Sequence, residues 1–343
     1  MMVEDSPVVQ QLLTHVINGD PRLQVVGVAA DAAEAVRQLR MLKPDVVTMD
    51  IRLPRMNGFE ATRWIMRDHP VPIVVVASDV DDKTLDISMN ALRAGALSVV
   101  PKPAGLGRDD YEAMAEQLRT QLVIMSEVPV VRQRSGRRDP AVLLPVPALP
   151  KVDMVALVAS TGGPSALARI LGNLSPGFPA PITVVQHMGA PFVGGFAHWL
   201  GTVSKLPVVL AAEGNVPQAG QVYVAPGNRH LAIEEGVLRL RSTPPLHGQR
   251  PSGDVLFESL AIGSGATAVG VLLTGMGEDG ADGLAALRLA GGYTIAEDAS
   301  SAVIWGMPGA AVAKGAAVEV LPVDSIPQRL CQLTSAARHR GLA

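Results

Sequence analysis

The sequence predicts an α/β chain made of two doubly wound units. Short β-branched apolar runs alternate with helical patterns in both halves, and alternation of buried strands with helices makes a parallel sheet covered on both faces. A stretch rich in Arg and Pro, 128–150, follows neither pattern and reads as a linker. The length of 343 residues suits two domains. The expected boundaries are 1–127, a linker over 128–150, and 151–337.

In the first unit, Ser6 and Pro7 mark a helix start, with Val8, Val9, Leu12, Leu13, Val16 and Ile17 at helical spacing. A strand is expected over Leu23–Val28, then a helix capped by Asp31, then a buried strand over Val46–Met49 that ends at Asp50. A helix follows the turn at Leu53–Gly58, and Ile73–Ala77 is an apolar strand. A helix from Asp81 to Arg93 stops at Gly95, Ser98–Val100 is the last short strand, and a helix from Asp109 to Met125 closes the unit. In the second unit, strands are expected over Met154–Ala159, Ile182–Gln186, Val208–Ala211, Val222–Ala225, Val237–Leu240, Val269–Leu273 and Tyr293–Ala296. Helices are expected over Pro164–Gly172, Phe192–Val203, Asp254–Ile262 and Ala281–Ala290.

Composition narrows the function classes. Lys plus Arg number 29 against 32 Asp plus Glu, a net charge of −3, and only 3 Trp, 3 Tyr and 5 Phe are available for base stacking. Nucleic acid is therefore not the expected partner. The single cysteine, Cys331, excludes an internal disulfide and a cysteine-based metal cluster. No apolar run is long enough to span a membrane, and no signal-peptide core follows Met1. A cytoplasmic setting without membrane insertion is expected.

Glu4 and Asp5 end the first strand, Asp50 ends the third and Lys102 ends the fifth. Carboxyl ends of strands in a doubly wound sheet line one crevice. Carboxylates converging there repel one another unless a cation joins them, and oxygen ligands of this kind suit Mg²⁺. A lysine adds a point charge for a phosphoryl oxygen, and a carboxylate nucleophile beside metal and lysine can form an acyl phosphate. Any one of these residues alone would read as a solvated loop charge. Four at strand ends read as a site.

The motifs Val3-Glu4-Asp5-Ser6, Met49-Asp50-Ile51-Arg52-Leu53-Pro54, Asn57-Gly58 and Pro101-Lys102-Pro103 resemble the receiver domain of two-component response regulators. That resemblance implies a flavodoxin-like sheet of order 2-1-3-4-5 and phosphorylation of Asp50 by a histidine kinase. It also implies Mg²⁺ on Glu4, Asp5 and Asp50, contact of Lys102 with the phosphate, and a cis Lys102–Pro103 bond. Only Met1, Met2 and Val3 precede the acidic pair, so the first strand is expected to be truncated. The switch hydroxyl that also contacts the phosphate falls at Ser78 when counted back from Lys102. Counted from Pro72 it falls at Ala77.

In the second unit, Ala159-Ser160-Thr161-Gly162-Gly163-Pro164 follows a buried strand and opens a helix. A hydroxyl at the apex of such a turn faces the amide donors of the helix N-terminus. Neither the GxGxxG nor the GxxxxGK[ST] phosphate pattern is present. A serine nucleophile needs a base. Of 7 histidines, only His187 ends a buried strand; His198 and His230 look embedded in elements, and His15, His69, His247 and His339 look exposed. A third group must orient the imidazole, and Glu278 and Asp279, after another buried strand, are both candidates.

These motifs, with Tyr223-Val224-Ala225-Pro226-Gly227, Pro251-Ser252-Gly253-Asp254-Val255-Leu256-Phe257, Ala296-Glu297-Asp298 and Gly306-Met307-Pro308, resemble the chemotaxis receptor protein-glutamate methylesterases. The resemblance implies Ser160 as nucleophile, His187 as base and Asp279 as orienter, with Thr161, Gly162 and Met276 in the oxyanion and substrate region. It implies hydrolysis of glutamate methyl esters, and deamidation of selected glutamines, on methyl-accepting chemotaxis receptors, without a cofactor for the esterase step. Two other readings fit the residues less well: a receiver-linked scaffold that binds receptors without hydrolysis, and a serine hydrolase for small esters.

Overall fold

The structure, a computed structural model, describes residues 1–54, 56–77, 95–103, 108–128 and 151–335. It divides into two compact units, Met1–Ser135 and Gly136–Ala343. The expected helix over 81–93, the switch position Ser78, most of the 128–150 segment and His339 lie outside the described residues.

In the first unit the strands are β1 (Met2–Val3), β2 (Val28–Ala29), β3 (Val47–Asp50), β4 (Ile73–Ala77) and β5 (Ser98–Pro101). They pair in parallel in the order β2–β1–β3–β4–β5, as expected. The central strand β1 is indeed short. Its two residues offer a ladder of two, Met2 to Val28 and Val3 to Ala29, which is why the expected 23–28 strand shrinks to β2. The helices are α1 (Pro7–Asn18), α2 (Ala32–Leu42), α3 (Gly58–Asp68) and α4 (Arg108–Glu127). Asp31 caps α2 by accepting from the Glu34 N–H at 2.8 Å, and Asn57 caps α3 through the Glu60 N–H at 2.9 Å. Ser6 occupies the N-cap position of α1, but its side chain makes no capping bond.

The second unit is built on β6 (Met154–Ala159), β7 (Ile182–Gln186), β8 (Val208–Leu210), β9 (Val222–Val224), β12 (Ala268–Leu272), β13 (Tyr293–Glu297) and β14 (Glu319–Leu321), with the hairpin β10 (His230–Glu234) and β11 (Val237–Arg241) as a separate two-stranded sheet. The seven-stranded sheet has the order β14–β13–β12–β6–β7–β9–β8 and is parallel throughout. The helices are α5 (Gly163–Asn173), α6 (Ala190–Val203), α7 (Gly253–Gly263), α8 (Ala281–Leu289), α9 (Met307–Ala313) and α10 (Ile326–Ser335). Strands β6, β7, β12 and β13 are buried along their whole length, which explains their near-continuous apolar sequence. The chain leaves β6 for β7 on one side, while β12 pairs on the other. The strand order thus reverses at β6, and the crevice at its carboxyl end is where such sheets bind ligands.

Helices α7 and α8 cover one face at close range. A Cβ on Gly283 would lie 2.7 Å from both the Cα and the carbonyl oxygen of Asp254, so the two helix backbones touch there. We expect Gly283→Ala to lower stability by about 1–3 kcal/mol, the usual cost of overpacking, seen as a lower urea midpoint of the second unit. An unchanged midpoint would show that the helices can part without loss.

Candidate functional site

In the first unit the acidic residues converge as expected. Glu4 and Asp50 are buried and Asp5 is exposed, yet all three bring a carboxylate oxygen within 4.8 Å of one another. Lys102 Nζ lies 2.7 Å from Glu4 Oε2 and 3.0 Å from Asp50 Oδ2, its side chain only 7% exposed. Burial pushes the Glu4 carboxyl up; Lys102 opposes this and Asp50 adds to it. Gly58 lets the start of α3 approach this cluster, since a Cβ there would fall 2.2 Å from the Asp50 carbonyl oxygen. One expectation fails. The Lys102–Pro103 bond is trans, and the cis peptide among the described residues is Arg250–Pro251. From the ordinary isomer Lys102 already reaches both carboxylates, with its own N–H held by the Ala77 carbonyl at 2.7 Å. Ala77 closes β4 and is buried.

In the second unit the crevice at the end of β6 gathers three loops. Ser160 follows β6. Its N–H donates to the Thr274 carbonyl at 3.0 Å, and its carbonyl accepts from the Gly163 N–H and from Gln186 Nε2, both at 2.8 Å. Gly162, with φ of +78°, turns the chain into α5, and a Cβ there would meet Val303 at 2.6 Å. His187 follows β7, where its N–H donates to the Ala159 carbonyl at 2.9 Å and Gln186 Nε2 donates to its carbonyl at 3.0 Å. Gln186 thus ties the Ser160 and His187 backbones together. Asp279 sits in the loop after β12.

The imidazole and carboxylate meet in the interior. His187 Nε2 is 2.7 Å from Asp279 Oδ2, with side chains 5% and 3% exposed. This is a close imidazole–carboxylate contact whose alignment falls short of an in-line N–H···O bond. Since Nε2 faces Asp279, Nδ1 is the ring nitrogen left for a hydroxyl. Asp279 also accepts from Ser252 Oγ at 2.5 Å, the Gly253 N–H at 2.6 Å and the Asp254 N–H at 3.3 Å. These donors stand at the start of α7, where the helix dipole favours an anion. Burial alone would raise the Asp279 carboxyl. The His187 imidazole, then the Ser252 hydroxyl and the Gly253 amide, outweigh burial and hold it below the ordinary carboxylate range. Glu278, the other candidate, points elsewhere: its side chain is 55% exposed and lies 3.6 Å from Lys314 Nζ.

Thr161 is buried in the turn after Ser160, while Met276, on the loop after β12, is exposed and follows Gly275, which bridges to Trp305. Sequence reading missed the supports. Thr274 Oγ1 donates to the Thr161 carbonyl at 2.9 Å and accepts from the Ile304 N–H at 3.0 Å. Its own N–H donates to Glu297 Oε2 at 2.8 Å, and Ser301 Oγ donates to Glu297 Oε1 at 2.8 Å. Burial leaves the Glu297 carboxyl raised despite these two donors. Ser252 entered the sequence reading only within the Pro251–Phe257 motif; its partner across the crevice did not.

Asp254 flanks the site. Its Oδ1 accepts from the Gly283 N–H at 2.7 Å, joining α7 to α8, and His247 Nε2 stands 3.5 Å from Oδ2. Burial, with Asp279 nearby, pushes Asp254 up to about 6, against the Gly283 amide and His247.

The comparisons agree with this anatomy. Residues 155–330 match the family described as CheB methylesterase, and residues 1–116 match the response regulator receiver domain. A protein-glutamate methylesterase/protein-glutamine glutaminase of Paramagnetospirillum magneticum is 47% identical, with 97% of this chain and 96% of that protein covered. One of Nitrosospira multiformis is 43% identical, with 98% and 96% covered. The Thermotoga maritima CheB methylesterase catalytic domain superposes with a TM-score of 0.52 at 37% identity, covering 53% of this chain and 99% of that one. Fold and site therefore define a hydrolase carried on the same chain as a receiver domain. The chain belongs to the CheB methylesterase family, in its form with an N-terminal response-regulator receiver.

The raised Asp254 carboxyl gives a pH prediction. A carboxyl whose folded value lies above its unfolded value favours the fold while protonated. That contribution is complete below pH of about 4 and is lost as pH rises through about 6. Asn can still accept from Gly283 and does not titrate. Urea midpoints of Asp254→Asn and the unchanged protein should diverge in favour of Asn between pH 4 and 7, and a constant difference would contradict this.

Proposed function

We propose that Ser160, His187 and Asp279 form the catalytic triad of a receptor-directed methylesterase. The observation that carries this reading is the buried His187–Asp279 pair, 2.7 Å apart, on the loops flanking the pinned Ser160 turn. His187 Nδ1 takes the Ser160 proton as Oγ attacks the ester carbonyl of a glutamate γ-methyl ester. Collapse of the tetrahedral species expels methanol, protonated by His187, and leaves an acyl-enzyme. Water, deprotonated by His187, attacks the acyl carbon and releases free glutamate and the Ser160 hydroxyl. With a glutamine side chain the same sequence expels ammonia. Amide donors around Thr161, Gly162 and Met276 face the developing oxyanion, at about 3–4 kcal/mol per donor in known hydrolases. The substrate is a methyl-accepting chemotaxis receptor, in keeping with the protein-glutamate methylesterase/protein-glutamine glutaminase names of the two relatives above.

In the receiver, Asp50 accepts a phosphoryl group from a histidine kinase, Lys102 neutralises it, and Ser78 supplies a hydroxyl to it. Glu4, Asp5 and Asp50 suit Mg²⁺, being three carboxylates that each bring an oxygen within 4.8 Å of the others, with Lys102 already holding Glu4 Oε2 and Asp50 Oδ2. The ion would supply charge neutralisation for the acyl phosphate. The receiver then spans 1–127 and the catalytic unit 151–337, joined by 128–150. Among the described residues no helix is long and apolar enough to cross a membrane, and we place the reaction in the cytoplasm, where receptor signalling domains and kinase meet.

Methanol release from methylated receptor tests this reading. Ser160→Ala should abolish release with the fold intact. An acyl phosphate donor with Mg²⁺ should raise release by the unchanged chain and not by Asp50→Ala. Release by Ser160→Ala near the unchanged rate would refute the nucleophile, and a folded protein without methanol release would favour the scaffold reading.

A further inference from the structure

The carboxylate that faces His187 is held from behind by a second histidine that the reaction does not use. His230 begins β10 and is fully buried. Its Nε2 lies 3.1 Å from the Pro244 carbonyl oxygen, which can only accept, so Nε2 carries the proton. Nδ1 is then the lone-pair nitrogen, and it accepts from the Ser252 N–H at 3.2 Å. Ser252 is the N-cap of α7, with φ −109° and ψ 141°. In a capping box, the N–H of this position is satisfied by Glu or Gln three residues on. Here that residue is Val255, which has no acceptor, and His230 takes its place.

The bonds continue into the crevice. Ser252 Oγ donates to Asp279 Oδ1 at 2.5 Å, and the neighbouring Gly253 N–H donates to Oδ2 at 2.6 Å. Oδ2 is the oxygen that faces His187. The hairpin that carries His230 lies outside the seven-stranded sheet, and it grips α7 a second time, where the Ile233 N–H donates to Ser259 Oγ at 2.9 Å. A two-stranded element that gives no group to the reacting atoms is thus fastened to the helix whose start holds the triad carboxylate.

We propose that His230 is a positioning residue. As the neutral Nε2–H tautomer it fixes Ser252, and through Ser252 it fixes the Asp279 carboxylate against His187. The proposal rests on the reading of Ser160, His187 and Asp279 as the triad. It accounts for a buried imidazole with both ring nitrogens engaged.

The test compares His230→Phe, which fills the space without an acceptor, with His230→Asn, whose Oδ1 can accept where Nδ1 does. Full-length protein is assayed for methanol release and for the rate at which a fluorophosphonate labels Ser160. His230→Phe should lower kcat about a hundredfold, the effect of a small misplacement of a catalytic group, with KM kept and labelling slowed in parallel. His230→Asn should recover most of both. Unchanged rates in His230→Phe, or equal losses in Phe and Asn, would overturn the proposal. Should His230→Phe show no cooperative unfolding transition, His230→Leu, which is smaller and also lacks an acceptor, decides: a lower kcat at unchanged KM supports the relay, and an unchanged kcat refutes it. Labelling of Asp279→Asn at the unaltered rate would instead refute the triad reading itself.

Discussion

The second unit depends on one buried charge. Asp279 is almost wholly removed from water, and an isolated carboxylate in such a place would give up its charge. It keeps the charge because donors surround it: the Ser252 hydroxyl, two amides at the start of α7 and the His187 imidazole. These groups come from two pieces of chain, residues 252–254 at the start of α7 and His187 after β7. The demand for a matched anion therefore fixes the start of α7 and the loop after β12 relative to the end of β7. It also explains the tight backbone contacts nearby: a Cβ on Gly253 would fall 2.5 Å from the Val158 side chain, and one on Gly275 would fall 2.6 Å from Ser160 Cβ. Ser160 sits where these constraints meet.

Both units use one topological device for different chemistry. In each, loops at the carboxyl ends of parallel strands bring distant residues together beside a central strand. The receiver uses it to crowd carboxylates around a lysine, an arrangement that favours a cation and a transferred phosphoryl group. The catalytic unit uses it to surround the Asp279 carboxylate with hydrogen-bond donors and an imidazole, which favours proton transfer from a hydroxyl. Both electrostatic designs are set by how many opposing or matching groups share the crevice, not by the sheet.

Much of this was legible in the sequence because the chemistry sits at strand ends, and strand ends are marked by apolar runs that stop. Asp50, Lys102, Ser160 and His187 lie at such stops, and Asp279 lies in the loop that follows one. Short edge elements were less legible. β2 contracts because its partner β1 offers two residues, and β14 has only three of its own, neither being a local property. The choice of Asp279 over Glu278 rested on family resemblance, because adjacent acids look alike until burial separates them. The hydrogen-bond roles of Ser252, Thr274, Glu297 and His230 depend on partners far along the chain. A serine before a helix announces a cap, but nothing local says that its hydroxyl will reach a buried aspartate.

Ser160 is proposed to carry the acyl group during turnover. Rapid acid quenching of the enzyme during turnover of methylated receptor, followed by peptide mass mapping, should recover a receptor-derived acyl adduct on the peptide that contains Ser160. The adduct should be absent in Ser160→Ala and should accumulate when the water step is slowed. Steady methanol release with no adduct at Ser160, or an adduct on another side chain, would contradict it.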